Sequence, residues 1–374
     1  MSAAFSVTDL ALFGRVMFPW ALSPLASGAS MILSVMTLLR TSGRCPPGPV
    51  IQNVNEEACL SSLVTLKEIV YWQYALIGRG TCVIRGEVKE DSDLSGKDLT
   101  VKICWPSRWR TSEVDFLEAA HTYALSQNDE HILGHIPQAF LHQDFYSTAD
   151  GPRGKCAFEN DDHRVLPVIV MDSYLPMSQL HTASDFTQVI IDVIKCHRAL
   201  HEGPKILHWD ISMNNIMFCR GENNRCGSFH LDRRFRTGTL PFMAIDLLAG
   251  KDKIHWVRHD LESILWVTVW YTARYHEGIE TTRAFQVWRK ADMFTLAEKK
   301  VYFLNTTDLY EPTAHFNTVA VWVGLLLDLF CHARGARTAL SFRYRKDRTS
   351  ETLDPETLGG RITYETFLHI LEEE

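Results

Sequence analysis

The stretch His208-Trp209-Asp210-Ile211-Ser212-Met213-Asn214-Asn215 constrains this chain more than any other. A His and an Asp stand two apart, and an Asn follows the Asp by five. Phosphoryl transfer uses these residue types at this spacing. The Asp accepts or orients the proton of an attacking hydroxyl, and the Asn reaches the metal that neutralises the phosphates. The flanks Lys205-Ile206-Leu207 and Ile216-Met217-Phe218 read as short strands that hold such a loop rigid. In isolation, a surface turn with a chance His, Asp and Asn would look the same, so the segments around it decide.

At 374 residues the chain is long enough for one large or two ordinary domains, and 46% hydrophobic residues supply a sizeable core. The net charge of −7 argues against nucleic acid or an anionic membrane as the main partner. Nine cysteines, an odd number without a C-x-x-C pair, read as reduced intracellular thiols, cytoplasmic or nuclear, and not as a disulfide or zinc framework. Residues 1–58 form an N-terminal extension. Val16 to Leu39 is uncharged and long enough to span a bilayer, but Pro19, Pro24 and Gly28 break a helix there. A buried or loosely packed extension without a membrane role is the expectation, and Pro46-Pro47-Gly48-Pro49 makes a linker.

A β-rich segment occupies residues 59–172. Val64 to Tyr74 reads as a strand leading into Gly78-Arg79-Gly80. A G-x-G pair lets backbone approach phosphates closely, though it reads first as a plain hairpin turn. In Leu99-Thr100-Val101-Lys102-Ile103 a Lys sits inside a β-branched strand, where a buried ammonium needs a partner. The next helix starts after Ser112, a good N-cap, and offers Glu113 as first choice of partner and Glu118 as second. Val165 to Met171 is a buried strand, and Asp172 to Pro176 follows as a hinge.

Residues 173–374 read as mostly helical. Ser184 is expected to cap a helix with Phe186, Val189, Ile190, Val193, Ile194 and His197 on one stripe, ending before Gly203. His197 on that stripe is a core histidine. Residues 259–270 are apolar nearly all round after a first turn containing Asp260, which predicts a buried helix. Further helices are expected around Thr295–Asn305, Thr318–Cys331 and from Thr363 onward, with a polar loop from Asp347 to Arg361.

Five blocks in order resemble one family. They are Val-Lys-Ile-Cys-Trp-Pro (101–106), Arg-Thr-Ser-Glu (110–113), His-Trp-Asp-Ile-Ser-Met-Asn-Asn-Ile-Met (208–217), Thr-Gly-Thr-Leu-Pro-Phe-Met-Ala (237–244) and His-Asp-Leu-Glu-Ser (259–263). The chain is similar, over roughly residues 60–370, to the fungal-type protein kinase domain, a branch of the protein-kinase-like superfamily. The resemblance implies a bilobal α+β fold with a small β-rich N-lobe carrying one main helix and a larger, mostly helical C-lobe. It also implies ATP and Mg as cofactors and a Ser/Thr-type protein substrate. Lys102, partnered by Glu113, would hold phosphates beneath Gly78 and Gly80. Asp210 would be the catalytic base beside the structural His208, Asn215 a metal ligand, and Asp260 an anchor for the loop backbone. Thr239 would approach Asp210 and form part of a peptide platform that small-molecule phosphotransferases lack. Asp246 replaces the Glu that closes this platform, so its carboxylate can still pair with a later Arg.

Three positions depart from the family pattern. Trp209 replaces the usual Arg, which removes control through a phosphorylated loop bound to that Arg. Ser212 replaces a Lys found in many Ser/Thr kinases. The metal-binding D-F-G segment has no clear counterpart, because Asp232 is the one Asp between Asn215 and Thr237. The stretch from Cys219 to Ser228 does not read as a strand leading to a metal ligand. Either an exon is missing there or the protein is a pseudokinase. The leading reading is a protein kinase. The alternatives are a catalytically inactive pseudokinase scaffold and then a small-molecule phosphotransferase.

Overall fold

The computed structural model describes residues 64–72, 80–88, 94, 97–109, 111–147, 164–219, 226–229, 239–250, 254–306, 309–347 and 354–373. The extension 1–58, Gly78 and Asp232 lie outside them. Among the described residues no helix is long and apolar enough to cross a membrane. The chain divides into two compact units, one of residues 1–118 with 137–173 and the other of residues 119–136 with 174–374. This is the mixed α+β, bilobal kinase-like architecture.

The first unit is an antiparallel sheet of β1 (Val64–Trp72), β2 (Cys82–Val88), β3 (Leu99–Ile103), β4 (Ala139–Ser147) and β5 (Val165–Asp172), in the order β1-β2-β3-β5-β4. The central strand β3 is buried at all five residues. Alternation along it sends Leu99, Val101 and Ile103 to one face, where they pack with Cys82, Ile84, Trp105, Val168 and Val170. Thr100 and Lys102 point to the other face. There the smaller cluster of Ile169, Met171 and Val114 forms, Val114 coming from helix α1 (Glu113–Gln127). Ser112 is the N-cap of α1: its Oγ accepts from Val114 N at 3.2 Å, and its own N donates to Asp115 Oδ2 at 3.1 Å. That reciprocal capping sets the start of α1 and hence the position of Glu113.

The second unit is built around α2 (Ala183–Glu202) and α4 (Val257–Thr272). The cap of α2 is Thr182, whose side chain accepts from Asp185 N at 3.0 Å, and not Ser184. The Thr-x-x-Asp pair outcompetes Ser184, which falls within the first helical turn. Phe186, Val189, Ile190, Val193, Ile194 and His197 of α2 are all buried, and Gly203 is its C-cap. Every residue of α4 is buried. Its hydroxyls are satisfied along the helix, Ser263 Oγ on His259 O at 2.9 Å and Thr268 Oγ1 on Ile264 O at 2.9 Å. Full burial of each Leu, Ile or Val there contributes about 1.5–3 kcal/mol, which makes α4 the mechanical centre of the unit.

Lys205 to Leu207 is not a strand; Lys205 turns with φ 61°, and Ile206 N donates back to Leu200 O at 2.9 Å, tying the chain to the end of α2. The strand β7 (Ile216–Cys219) pairs on one side with β6 (Leu175–Pro176) and on the other with β8 (Cys226–Phe229). The stretch from Cys219 to Ser228 does not read as a strand leading to a metal ligand, yet Cys226–Phe229 forms β8. Its small, polar composition hides a hairpin whose register, Ile216↔Phe229 to Cys219↔Cys226, is set by the partner strand. The remaining helices are α3 (Ile245–Leu248), α5 (Met293–Leu304), α6 (Ala320–Asp347) and α7 (Tyr364–Glu372). Helix α6 runs well beyond the expected end near Cys331.

Candidate active site

In the first unit, Lys102 reaches Glu113 with Nζ at 2.9 Å from Oε1 and 2.6 Å from Oε2. Both side chains are more than nine-tenths buried. The pair is two-pronged because β3 turns Lys102 toward the α1 face and the Ser112 cap starts α1 at Glu113. Glu118 is exposed. Gly80, two residues before β2, has φ +54°, a conformation that residues with a side chain rarely adopt.

In the second unit, the loop from His208 to Asn215 hangs on Asp260. This carboxylate, in the first turn of α4, accepts from His208 N at 2.9 Å and from Trp209 N at 3.2 Å. It also meets His197 Nε2 at 2.9 Å and His255 Nε2 at 2.8 Å. His197 in turn contacts Tyr364 OH at 2.7 Å, so it is a core histidine with both ring nitrogens engaged. Burial would raise the Asp260 carboxyl, but the two imidazoles beside it outweigh this and hold it well below the usual carboxylate range.

Trp209 sits at φ 70°, where a bulky side chain costs about 1–3 kcal/mol. Two features offset that cost: the hold of Asp260 on the amide, and a stack of the indole on His255 with centroids 5.3 Å apart and planes at 10°. Asp210 follows immediately and is 2% exposed. Its N donates to His208 Nδ1 at 3.3 Å. Its Oδ1 accepts from Thr239 N at 2.8 Å and Thr239 Oγ1 at 3.1 Å. Asn215 Nδ2 donates to Asp210 O at 2.7 Å, which closes the loop on itself.

The segment that begins at Thr239 is wired to three helices. A 3-10 turn, Leu240–Phe242, leads to Met243, whose carbonyl accepts from Lys300 Nζ at 2.6 Å. Ile245 N and Trp266 Nε1 both donate to Glu262 Oε1, at 2.8 and 3.1 Å. Asp246, at the start of α3, accepts from Arg258 at 2.9 Å and Arg334 at 3.0 Å, and also from Arg337. Lys300 is fully buried over the rings of Trp266 and Trp288. Desolvation pushes its ammonium well below the usual lysine range, against the pull of Glu262.

The profile of the family described as fungal protein kinase matches residues 44–133 and 123–272, more than half of the chain. The chain belongs to the fungal protein kinase family. No curated protein matched. In this member of the family, Lys102 and Glu113 come together in one unit, and His208, Asp210, Asn215, Thr239 and Asp260 come together in the other. Asp246 lies at the far end of the same wired segment. Sequence reasoning missed Lys300, Glu262 and His255. Glu262 stood inside the His-Asp-Leu-Glu-Ser block and was visible as a motif residue, whereas Lys300 and His255 carry no local signal.

Proposed function

We propose that this chain transfers the γ-phosphoryl group of ATP to a Ser or Thr hydroxyl of a protein substrate. The observation that carries the reading is Thr239 on Asp210: one residue orients the carboxylate through both its amide and its hydroxyl. The same residue opens a segment ordered by Lys300, Glu262 and Asp246. Such a segment suits an extended peptide and favours protein over small-molecule acceptors.

In this reading Asp210 takes the proton of the substrate hydroxyl as its oxygen forms a bond to the γ-phosphorus and the bond to the bridging oxygen breaks. Lys102, fixed by Glu113, is a held cation suited to phosphate oxygens. The oxygen donors suit magnesium: the Asn215 amide, whose nitrogen is committed to Asp210 O, leaves its oxygen to act as ligand. Asp232, three residues beyond the end of β8, is the next carboxylate in chain order. Bound magnesium would neutralise charge on the phosphates. The acceptor is an intracellular protein, cytoplasmic or nuclear, with no role for nucleic acid or membrane.

A second reading, a pseudokinase scaffold, is favoured by one observation: Asp232 is the one Asp between Asn215 and Thr237. Two measurements separate the readings. Nucleotide-dependent thermal stabilisation with and without magnesium reports binding by mass action. Phosphate transfer to a protein substrate, against Asp210→Asn, reports chemistry, with an expected loss of about 10²–10⁴-fold in the variant. Stabilisation without transfer, or neither, would leave the scaffold. Transfer to an aminoglycoside or choline but not to protein would point to the small-molecule class.

A further inference from the structure

A two-residue turn, Glu277-Gly278, joins β9 (Tyr275–His276) to β10 (Ile279–Glu280), with φ 48° and 78°. Gly278 is obligatory there, since a Cβ would lie 2.1 Å from the carbonyl oxygen of Ser178. Glu277 shares the positive φ because a two-residue hairpin turn of this kind needs it at both central positions. The hairpin is pinned to a second segment. Thr313 N donates to Thr272 O at 2.9 Å, and Thr313 Oγ1 donates to Tyr275 O at 2.7 Å. The 3-10 turn Ala314–Phe316 follows, anchored by the buried Phe316 against Phe186 and Tyr271.

This framework brings His315 beside His276, with ring centroids 5.1 Å apart. One ring nitrogen of each histidine and one carboxylate oxygen of Glu277 lie within 4.8 Å of one another. His276 and Glu277 are open to solvent. Nε2 of His315 is shielded from solvent and has no hydrogen-bond partner among the described residues. This imidazole therefore has hydrogen-bonding capacity that the fold leaves unused.

We propose that His276, Glu277 and His315 form a binding site for a divalent transition metal of the zinc class. Two imidazoles and one carboxylate are borderline donors that suit zinc and disfavour magnesium or calcium, which take oxygen ligands. Around a zinc ion the ligand atoms sit about 3.3 Å apart, as tetrahedral geometry at about 2.0–2.1 Å requires. The ligand atoms would have to close in from the present spacing, on two backbone segments that Thr313 ties together. Three protein ligands leave the fourth position to water. Bound metal would staple the hairpin to the Ala314–Phe316 turn. The site shares no residue with the loop around Asp210, so it is a separate function of the second unit.

The test uses the full chain, stripped with a chelator and titrated with zinc chloride by calorimetry and thermal shift, with cobalt chloride as a spectroscopic probe. The expected results are one zinc per chain, a zinc-dependent rise in melting temperature, and visible cobalt bands of a nitrogen- and oxygen-ligated site. His276→Ala and Glu277→Gln, both at exposed positions, should each weaken binding about tenfold or more and abolish the cobalt bands. His315→Ala should do the same. Absence of zinc binding would overturn the proposal, leaving the two rings as an edge-to-face contact. Binding that survives His276→Ala and Glu277→Gln unchanged would overturn it equally, since the metal would then sit elsewhere.

Discussion

One carboxylate, Asp260, holds more of the site than any side chain that would touch a substrate. It receives two consecutive amides and two imidazoles without being exposed at all. Removing the charge from such a group leaves its partners without a full set of acceptors in a dry interior. Asp260→Asn is expected to lower the unfolding free energy by about 3–5 kcal/mol. It should also release the strained φ of Trp209, read as a change in tryptophan emission, together with loss of any phosphotransfer. A urea melt within about 1 kcal/mol of the parent would show that the amides hold the loop without the carboxylate. The Trp209 indole, at a position where the resemblance implies an Arg, is instead held by its stack on His255.

At the scale of elements, the segment Thr239–Leu248 gains its shape from α4, α5 and α6, which each contribute a side chain to its backbone or to Asp246. Lys300 is the least expected of these, a buried ammonium on α5 that donates to a carbonyl. Its positive charge is poorly solvated and depends on Glu262 and two indole faces. Lys300→Met preserves the length and the ring packing but leaves the Met243 carbonyl without that donor. The expected cost is about 1–3 kcal/mol, seen as a lower melting temperature, with the larger effect on peptide affinity. Unaltered KM for a peptide substrate would show that Lys300 serves only the core. The β7–β8 hairpin teaches the same lesson in reverse: Cys226–Phe229 has weak strand character of its own, and becomes a strand because β7 offers it an edge.

For the whole molecule, the dependence of stability on pH near neutrality is expected to come from His201 and not from Asp260. The Asp260 carboxyl is held below its unfolded value, so its contribution is complete above the ordinary carboxylate range and is lost only in strong acid. Burial lowers His201, helped by His197 and Lys205 against the pull of Glu356 and Glu202. The unfolded chain therefore binds a proton at this position that the folded chain refuses, at pH values between the depressed folded value and the ordinary 6.5. Stability should fall as pH drops through that window and level off above it. His201→Gln should flatten part of the slope, and an unchanged slope in thermal melts from pH 7.5 to pH 5.5 would refute the assignment. The sequence alone determined the family, the His208–Asn215 loop motif, the Lys102–Glu113 pair, the buried character of α4 and the α2 stripe. Each is a local pattern: a motif, a period, or a charge placed where a strand must be buried. Tertiary structure alone decided that Asp260 gathers His197, His255 and the loop amides, that Lys300 and Glu262 order the segment after Thr239, and that His276 and Glu277 meet His315. Apart from His255, five residues before Asp260, these groups are far apart along the chain, and no local period encodes their approach. It follows from the helices and turns packing in one particular way, which closes those distances and excludes the water that would otherwise solvate each group.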